Sequence, residues 1–284
     1  MPIKIKVPLH ITGFWKPVYT SNDLYTGSIG AGVNITQYLA LIARKSKEKV
    51  FRLNNKVLTI KTLENLYPLL RHGVEVDAYT SAPLGAGYGL SAAIALGLSL
   101  ASTIINKERI TLEDAAARAH IAEVRAGTGL GDVIAEYYGG LEVRVKPGPP
   151  GIGCVVKIPV DPMIRVVTVP LGRMDTSLML QKYSSRHARI AIECVRELLR
   201  NPSLESFIEL SNRFSRQFFD YRHADNLLAP LHRYLIGYYV KKRVLTIFVE
   251  RDRLGDIEDY LRDKGYNVLS GRIDYSGVRI EDTA

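Results

Sequence analysis

The stretch Pro83-Leu84-Gly85-Ala86-Gly87-Tyr88-Gly89-Leu90-Ser91-Ala92-Ala93 constrains this chain more than any other. Three glycines alternate with other residues and run into a serine and a long apolar helical segment. Glycine permits backbone conformations closed to other residues and lets a ligand approach the peptide N–H groups. A helix starting near Ser91 aims its unpaired N–H groups and the positive end of its dipole back at the loop. Loop and helix end together suit a phosphate group. The loop is not a Walker loop, because no Gly-Lys-Ser/Thr closes it. Nor is it a dinucleotide fingerprint: the spacing is Gly-x-Gly-x-Gly, and a second helix follows the first where an acid-ended strand is required. A glycine-rich turn that merely lets a helix pack closely would also explain a lone motif. The proline, the serine and the alanines around this one favour a phosphate cradle.

At 284 residues the chain can bury a full core in one or two domains. Its composition, 46% hydrophobic and 24% charged, is that of an ordinary globular protein. The most apolar run, 92–105, is too short for a bilayer span of roughly 20 residues, so no membrane partner is expected. The first residues alternate apolar and charged side chains, which reads as a strand and not a signal peptide. Cys154 and Cys194 form neither a metal-ligand spacing nor a disulfide framework, and a reducing cytoplasm is the simplest location. The formal charge of +9 suits an anionic partner, either nucleic acid or a small phosphate such as ATP. The longest basic run, Lys241-Lys242-Arg243, is short and reads as solvated surface, so nucleic acid is not expected.

The periodicities predict strands over 3–8, 36–43, 50–60 and 73–79, helices over 91–105 and 111–125, and a strand over 141–146. Thr111-Leu112-Glu113-Asp114 reads as a capping box with Asp in place of Glu. The Pro/Gly stretch 147–151 is a hairpin loop or a domain boundary. Beyond it come strands over 155–160 and 164–169, helices over 186–200 and 204–221, a strand over 244–249, a helix over 253–264 and a strand over 267–270. Ile192, Val195 and Leu199 mark the buried face of the first of these helices. The alternation in this half predicts an α+β sandwich of ferredoxin-like type.

Phosphoryl transfer needs a phosphate cradle, Mg²⁺ and a group beside the attacking hydroxyl. Mg²⁺ takes hard oxygen ligands, commonly one or two carboxylates with phosphates and waters. Ser91 is the hydroxyl at the loop, Glu123 is one acid, and Asp132 is the other, after the second glycine turn Gly127-Thr128-Gly129-Leu130-Gly131. Glu123 lies on an alanine-dominated helix that can approach its neighbours closely, although a surface acid is the plainer reading. Asp132 could equally be a helix N-cap.

The phosphate loop resembles the second motif of the GHMP small-molecule kinases, Pro-x-Gly-x-Gly-Leu-Gly-Ser-Ser-Ala. Tyr88 stands in the Leu place, Leu90 replaces the first serine, and Ser91 keeps the second. Ala119-His120-Ile121-Ala122-Glu123 followed by Thr128-Gly129-Leu130-Gly131-Asp132-Val133 is similar to the metal-binding Glu and catalytic Asp region of the same family. Within that family the similarity is greatest to the archaeal pantoate kinases. It extends to Pro8-Leu9-His10-Ile11-Thr12-Gly13-Phe14, to Ser28-Ile29-Gly30-Ala31-Gly32 and to Gly139-Gly140-Leu141-Glu142-Val143-Arg144.

The resemblance implies a GHMP kinase fold. It implies a ribosomal protein S5 domain 2-like domain over 1–160 and a ferredoxin-like domain over 161–284. It implies ATP-dependent phosphorylation of pantoate to 4-phosphopantoate on the archaeal route to coenzyme A, by a homodimer. It places ATP on Pro83, Gly85, Ala86, Gly87, Tyr88, Gly89, Leu90 and Ser91, Mg²⁺ on Ser91 and Glu123, and Asp132 at the acceptor hydroxyl. Ser28, His120 and Arg144 are the expected substrate contacts, the arginine forking the pantoate carboxylate. His10 is a further candidate of lower rank, and a solvated strand face is the alternative reading of Arg144.

Three positions depart from the pattern. Leu9 replaces a glycine before His10, Leu90 replaces a serine, and the third motif, a glycine-rich turn, is not evident in 236–245. Two other readings stay open at this point. One is a GHMP kinase for another small alcohol such as mevalonate or homoserine, which His120 and Arg144 would discriminate. The other is a relative that binds nucleotide or RNA without catalysis.

Overall fold

The structure, a computed structural model, describes residues 2–281 except 175, 177, 178 and 180–182. The last three residues of the second expected domain therefore lie outside the described residues.

Strand β1 (Ile3–Val18) opens the chain and continues well past the expected 3–8. It pairs antiparallel with β2 (Gly27–Lys45), and the register shifts at Pro8/Leu9, where proline has no N–H to give the ladder. The glycine cluster at 27–32 lies inside β2, not before it. A side chain at Gly32 would overlap the His10 ring, so this glycine lets a histidine lie across the neighbouring strand. The expected strand over 50–60 is instead a hairpin, β3 (Lys49–Leu53) and β4 (Lys56–Val57). Asn54 and Asn55 make its turn with φ of 48° and 66°, left-handed values that asparagine tolerates. A short helix not expected from the sequence, α1 (Lys61–Leu66), follows, burying Leu63 and Leu66.

The chain then runs through β5 (Val74–Tyr79), α2 (Leu90–Ile105), α3 (Leu112–Ala126), α4 (Asp132–Tyr138), β6 (Leu141–Lys146) and β7 (Cys154–Ile158). The Thr111/Asp114 capping box is present as expected. Gly131 is the N-cap of α4, so Asp132 is its first helical residue and not the cap. Strand β2 is long enough to pair with β6 through Gly30–Val33 and with β5 through Ala40–Lys45. The 147–151 stretch joins the antiparallel pair β6 and β7.

Residues 164–271 form the second sheet. Strand β8 (Ile164–Pro170) leads to α5 (Ser185–Arg200), α6 (Leu204–Ser215) and α7 (Arg222–Leu228), then to β9 (Gly237–Lys241), β10 (Val244–Glu250), α8 (Leu254–Asp263) and β11 (Leu269–Gly271). The order β11-β8-β10-β9, all antiparallel, is that of a ferredoxin-like sandwich, as expected. The expected helix over 204–221 ends at Ser215 as α6, and α7, which begins at Arg222, lies beyond the expected span. Of the expected face of α5, Val195 is buried, Ile192 is half-buried and Leu199 is 42% exposed; Ala191, Cys194 and Leu198 complete the buried face. The helix is turned by about one residue because its partner α6 takes the Cys194 side.

We propose the domain boundary near residue 160, with one exchange across it. Strand β12 (Arg279–Glu281) returns to pair with β1, and Asp274 beside it accepts hydrogen bonds from Tyr38 (2.6 Å) and Arg279 (2.7 Å). The two halves also meet through aromatic rings. Phe14 lies 6.3 Å from Phe207, and Trp15 lies 4.9 Å edge-on from Phe214. Each such pair contributes roughly 0.5–1.5 kcal/mol beyond area burial. Because this seam uses the second half of β1, a cavity remains between that strand, the phosphate loop and the β9–β10 turn.

Candidate active site

The cavity has a volume of about 540 Å³. Gly85, Gly87, Tyr88, Gly89, Leu90 and Ser91 line it from the phosphate loop; Pro83 and Ala86 stand behind. The loop bends back on itself, and Gly89 with φ 69° caps α2 without any side-chain hydrogen bond. That leaves the positive end of a 16-residue helix facing the cavity. Tyr88 explains its own departure from the family motif: it is buried, and its hydroxyl lies 3.0 Å from the Thr168 hydroxyl in β8, tying the loop to the second sheet. Directly behind Gly89 sits Glu136, buried, with neither carboxyl oxygen paired among the described residues. Burial, followed by the charges of Asp132 and Glu123, pushes its pKa well above the ordinary carboxylate value, which favours the protonated form.

On one wall, Glu123 accepts hydrogen bonds from three hydroxyls, those of Thr62 (2.7 Å), Thr128 (2.8 Å) and Ser91 (3.1 Å). Burial pushes its pKa up to about 7, against the pull of the three hydroxyls. A buried carboxylate beside a hydroxyl at a phosphate loop is a hard-oxygen donor pair of the kind Mg²⁺ accepts. Among the described residues no three acidic, histidine or cysteine side chains gather into a metal cage.

Asp132 lies close by, since a Cβ on Gly129 would stand 2.3 Å from a Glu123 carboxyl oxygen and 3.3 Å from one of Asp132, and it presents 22% of its side chain to the cavity. The His10 ring donates from Nδ1 to Asp132 (2.7 Å) and from Nε2 to Glu142 (3.0 Å). With a carboxylate at each nitrogen, the imidazole carries both protons. Burial lowers the His10 pKa, but the two hydrogen bonds and the two negative charges outweigh it, and the net shift is upward. Burial likewise raises the Asp132 pKa, and His10, Arg144 and Lys241 together overcome it, holding the carboxyl well below its usual range. Thr12 adds a hydroxyl 3.3 Å from Asp132.

Glu142 also pairs with Arg144, and both are fully buried, so the solvated strand face does not form until Lys146. The Arg144 Nε has no partner among the described residues, and the residue lines the cavity. Ser28 and Arg144 converge on Gly131, where an added Cβ would stand 2.6 Å from the Arg144 Nε and overlap the Ser28 hydroxyl. These two expected substrate contacts are therefore brought together. His120 is not brought to the cavity. It is buried, its Nε2 donates to the Thr26 carbonyl (2.8 Å), and burial lowers its pKa. Its link to the site runs through the backbone two residues before Ser28.

The sequence placed His10 below the other candidates, singled out none of Thr12, Thr62 and Glu142, and read Lys241 as part of a solvated basic run, whereas the structure brings all five to the site. A signal for His10 was available, namely a polar ring between Leu9 and Ile11 in an apolar strand, which burial tolerates only with partners. For Thr62 it was the Leu63/Leu66 spacing of a short helix. The turn missing from the third motif exists without glycine. Lys242 takes φ 53°, and the Arg243 N–H donates to the Ala86 carbonyl of the phosphate loop (3.0 Å).

Residues 54–140 match the GHMP kinases N terminal domain. The chain is 36% identical over 215 residues to the pantoate kinase of Methanocaldococcus jannaschii, covering 73% of this chain and 77% of the relative. It is 37% identical over 234 residues to the pantoate kinase of Thermococcus kodakarensis, covering 76% of each. Among solved structures it resembles a phosphotransferase related to the CoA biosynthesis pathway, with a TM-score of 0.86 at 27% identity over 99% of both chains. A phosphate loop facing an ionised aspartate, on a fold and sequence shared at this level, leaves one family: the chain is a small-molecule kinase that belongs to the pantoate kinases of the GHMP kinase superfamily.

Proposed function

We propose that this kinase transfers the γ-phosphoryl group of ATP to a hydroxyl of pantoate, giving 4-phosphopantoate and ADP, a step on the archaeal route to coenzyme A. The observation that carries the reading is Asp132, an aspartate kept anionic by His10 and open to the cavity across from the phosphate loop. The loop amides and the N-terminus of α2 hold the phosphates. Ser91 and Glu123 hold Mg²⁺, which when bound neutralises phosphate charge.

Ser28 and Arg144 orient pantoate so that its hydroxyl donates to Asp132. The hydroxyl oxygen attacks the γ-phosphorus, the bond to the β–γ bridging oxygen breaks, ADP leaves, and the hydroxyl proton passes to Asp132. A carboxylate held so far below its usual range is a weak base. It serves a loose phosphoryl-transfer transition state chiefly by orienting the nucleophile and accepting the proton late. His120, through Thr26, positions Ser28.

We further propose a cytoplasmic homodimer. Both cysteines are free thiols, and no helix among the described residues is long and apolar enough to cross a membrane. Light scattering on the purified protein checks the dimer. An ADP-release assay with Mg-ATP and a panel of pantoate, mevalonate and homoserine checks the reaction. Turnover is expected with pantoate; turnover of another acceptor and none of pantoate would overturn the assignment.

A further inference from the structure

Lys241, the last residue of β9, carries a buried amine whose part in the mechanism above is limited to its charge on Asp132. It is 7% exposed, yet it lines the cavity. Its Nζ lies 3.4 Å from the centroid of the Trp15 ring and 3.8 Å from the Met179 sulfur. Neither neighbour is an oxygen. A ring face attracts a cation, and a thioether is a weak acceptor. Neither replaces the hydration that burial removes from an ammonium group.

Among the described residues, the charges around Lys241 come from three elements. Lys242 stands beside it in the turn, Arg144 faces it from β6 and Asp132 from α4. Burial, then Lys242, and also Arg144 lower its pKa well below the lysine range, and among these groups Asp132 acts the other way. An amine in this setting gains most from an incoming anion.

Two anions enter the site, a phosphate and the acceptor's carboxylate, and the placement separates them. It is the main chain of Lys241 that meets the phosphate loop: a Cβ on Gly87 would stand 2.8 Å from the Lys241 carbonyl. The side chain reaches away from the loop to Trp15 on β1. The strand pair that carries Trp15 opposite Gly30 also carries Gly30 opposite Arg144, so Trp15 and Arg144 flank one point of β2. The ammonium therefore sits on the acceptor side.

We propose that Lys241 completes the acceptor subsite by binding the substrate's carboxylate together with Arg144 and Ser28, so that the kinase selects a hydroxy acid over a neutral alcohol. This rests on the acceptor being a hydroxy acid such as pantoate. It also gives the turn that replaces the glycine-rich third motif a task of its own, since that turn fixes where the lysine emerges.

The test compares pantoate with its neutral amide as acceptor, in the wild type, Lys241→Met and Lys241→Arg. Loss of a charge-assisted hydrogen bond in a buried site is expected to raise the pantoate KM of Lys241→Met about 10- to 100-fold. The ATP KM should stay within about 3-fold, and the preference for pantoate over its amide should fall by the same 10- to 100-fold. Lys241→Arg should recover most of that preference, which a purely structural lysine would not require. If Lys241→Met fails to fold, Lys241→Gln gives the same ratio. A raised ATP KM with an unchanged acid-to-amide preference overturns the proposal. If the wild type ignores pantoate and phosphorylates another hydroxy acid, the substrate assignment falls and the ratio is taken with that acid and its amide.

Discussion

Asp132 is governed by neighbours far away in the chain. His10, 122 residues earlier, supplies the positive charge that keeps it ionised, and Glu142 holds that histidine from the other side. Asp132→Asn leaves the shape and removes the acceptor for the hydroxyl proton. It should lower kcat by about 10²- to 10⁴-fold with little change in the ATP KM, measured by ADP release. His10→Gln acts on charge alone. With the cation gone, burial dominates and the Asp132 pKa rises. The acid limb of kcat/KM, which reports the free enzyme, should then move to higher pH; an unmoved limb would show that His10 does not set the charge of Asp132. Ser91, Glu123 and Asp132 were legible in the sequence because each adjoins a glycine turn or an alanine-rich helix with a recognisable spacing. The His10–Glu142–Arg144 chain was not, since strand alternation gives the face of a residue and not its partner across the sheet.

The phosphate loop and helix α2 act as one element, and Gly89 is the joint. Its φ of 69° belongs to the left-handed region, and a Cβ there would stand 2.5 Å from the Glu136 carboxyl. Gly89→Ala should therefore destabilise the protein by about 1–2 kcal/mol from backbone strain alone, more with the clash, and should raise the ATP KM. Urea denaturation and steady-state kinetics measure the two effects, and an unchanged midpoint would refute the strain argument. Element boundaries were legible where local chemistry decides them. The Thr111/Asp114 box started α3 where expected, whereas the strand expected over 3–8 runs on to Val18 because pairing with β2 carries it past Pro8, which lacks an N–H. The face of α5 was misread because its apolar residues allow more than one stripe and the contact with α6 selects among them.

At the scale of the molecule, the buried acids make the ligand-free protein sensitive to pH. Glu123 has a folded pKa of about 7 against an ordinary 4.5, and that of Glu136 is raised as well. A carboxyl that binds its proton more tightly when folded costs stability as pH rises above its unfolded value. Glu123 alone should remove about 3 kcal/mol between pH 4.5 and 7. His10, raised as well, loses its contribution as pH climbs through its folded pKa; Asp132, lowered, gives its contribution in full above its unfolded value. Thermal unfolding without ligand should thus show the highest midpoint on the acid side, near pH 4–5. Glu136→Gln should raise the midpoint at pH 8 and leave it nearly unchanged at pH 4.5, and equal shifts at both would show that Glu136 is not held neutral. By itself the sequence determined the phosphate loop, most of the helices and strands in both halves though not α1, β9 or β12, and three of the groups around the candidate site, since all of these rest on local spacing and backbone chemistry. Only the tertiary structure decided that His10 charges Asp132, that His120 turns away to the Thr26 carbonyl, and that Lys241 enters the cavity, because each depends on which distant strand lies alongside and how much water that contact removes.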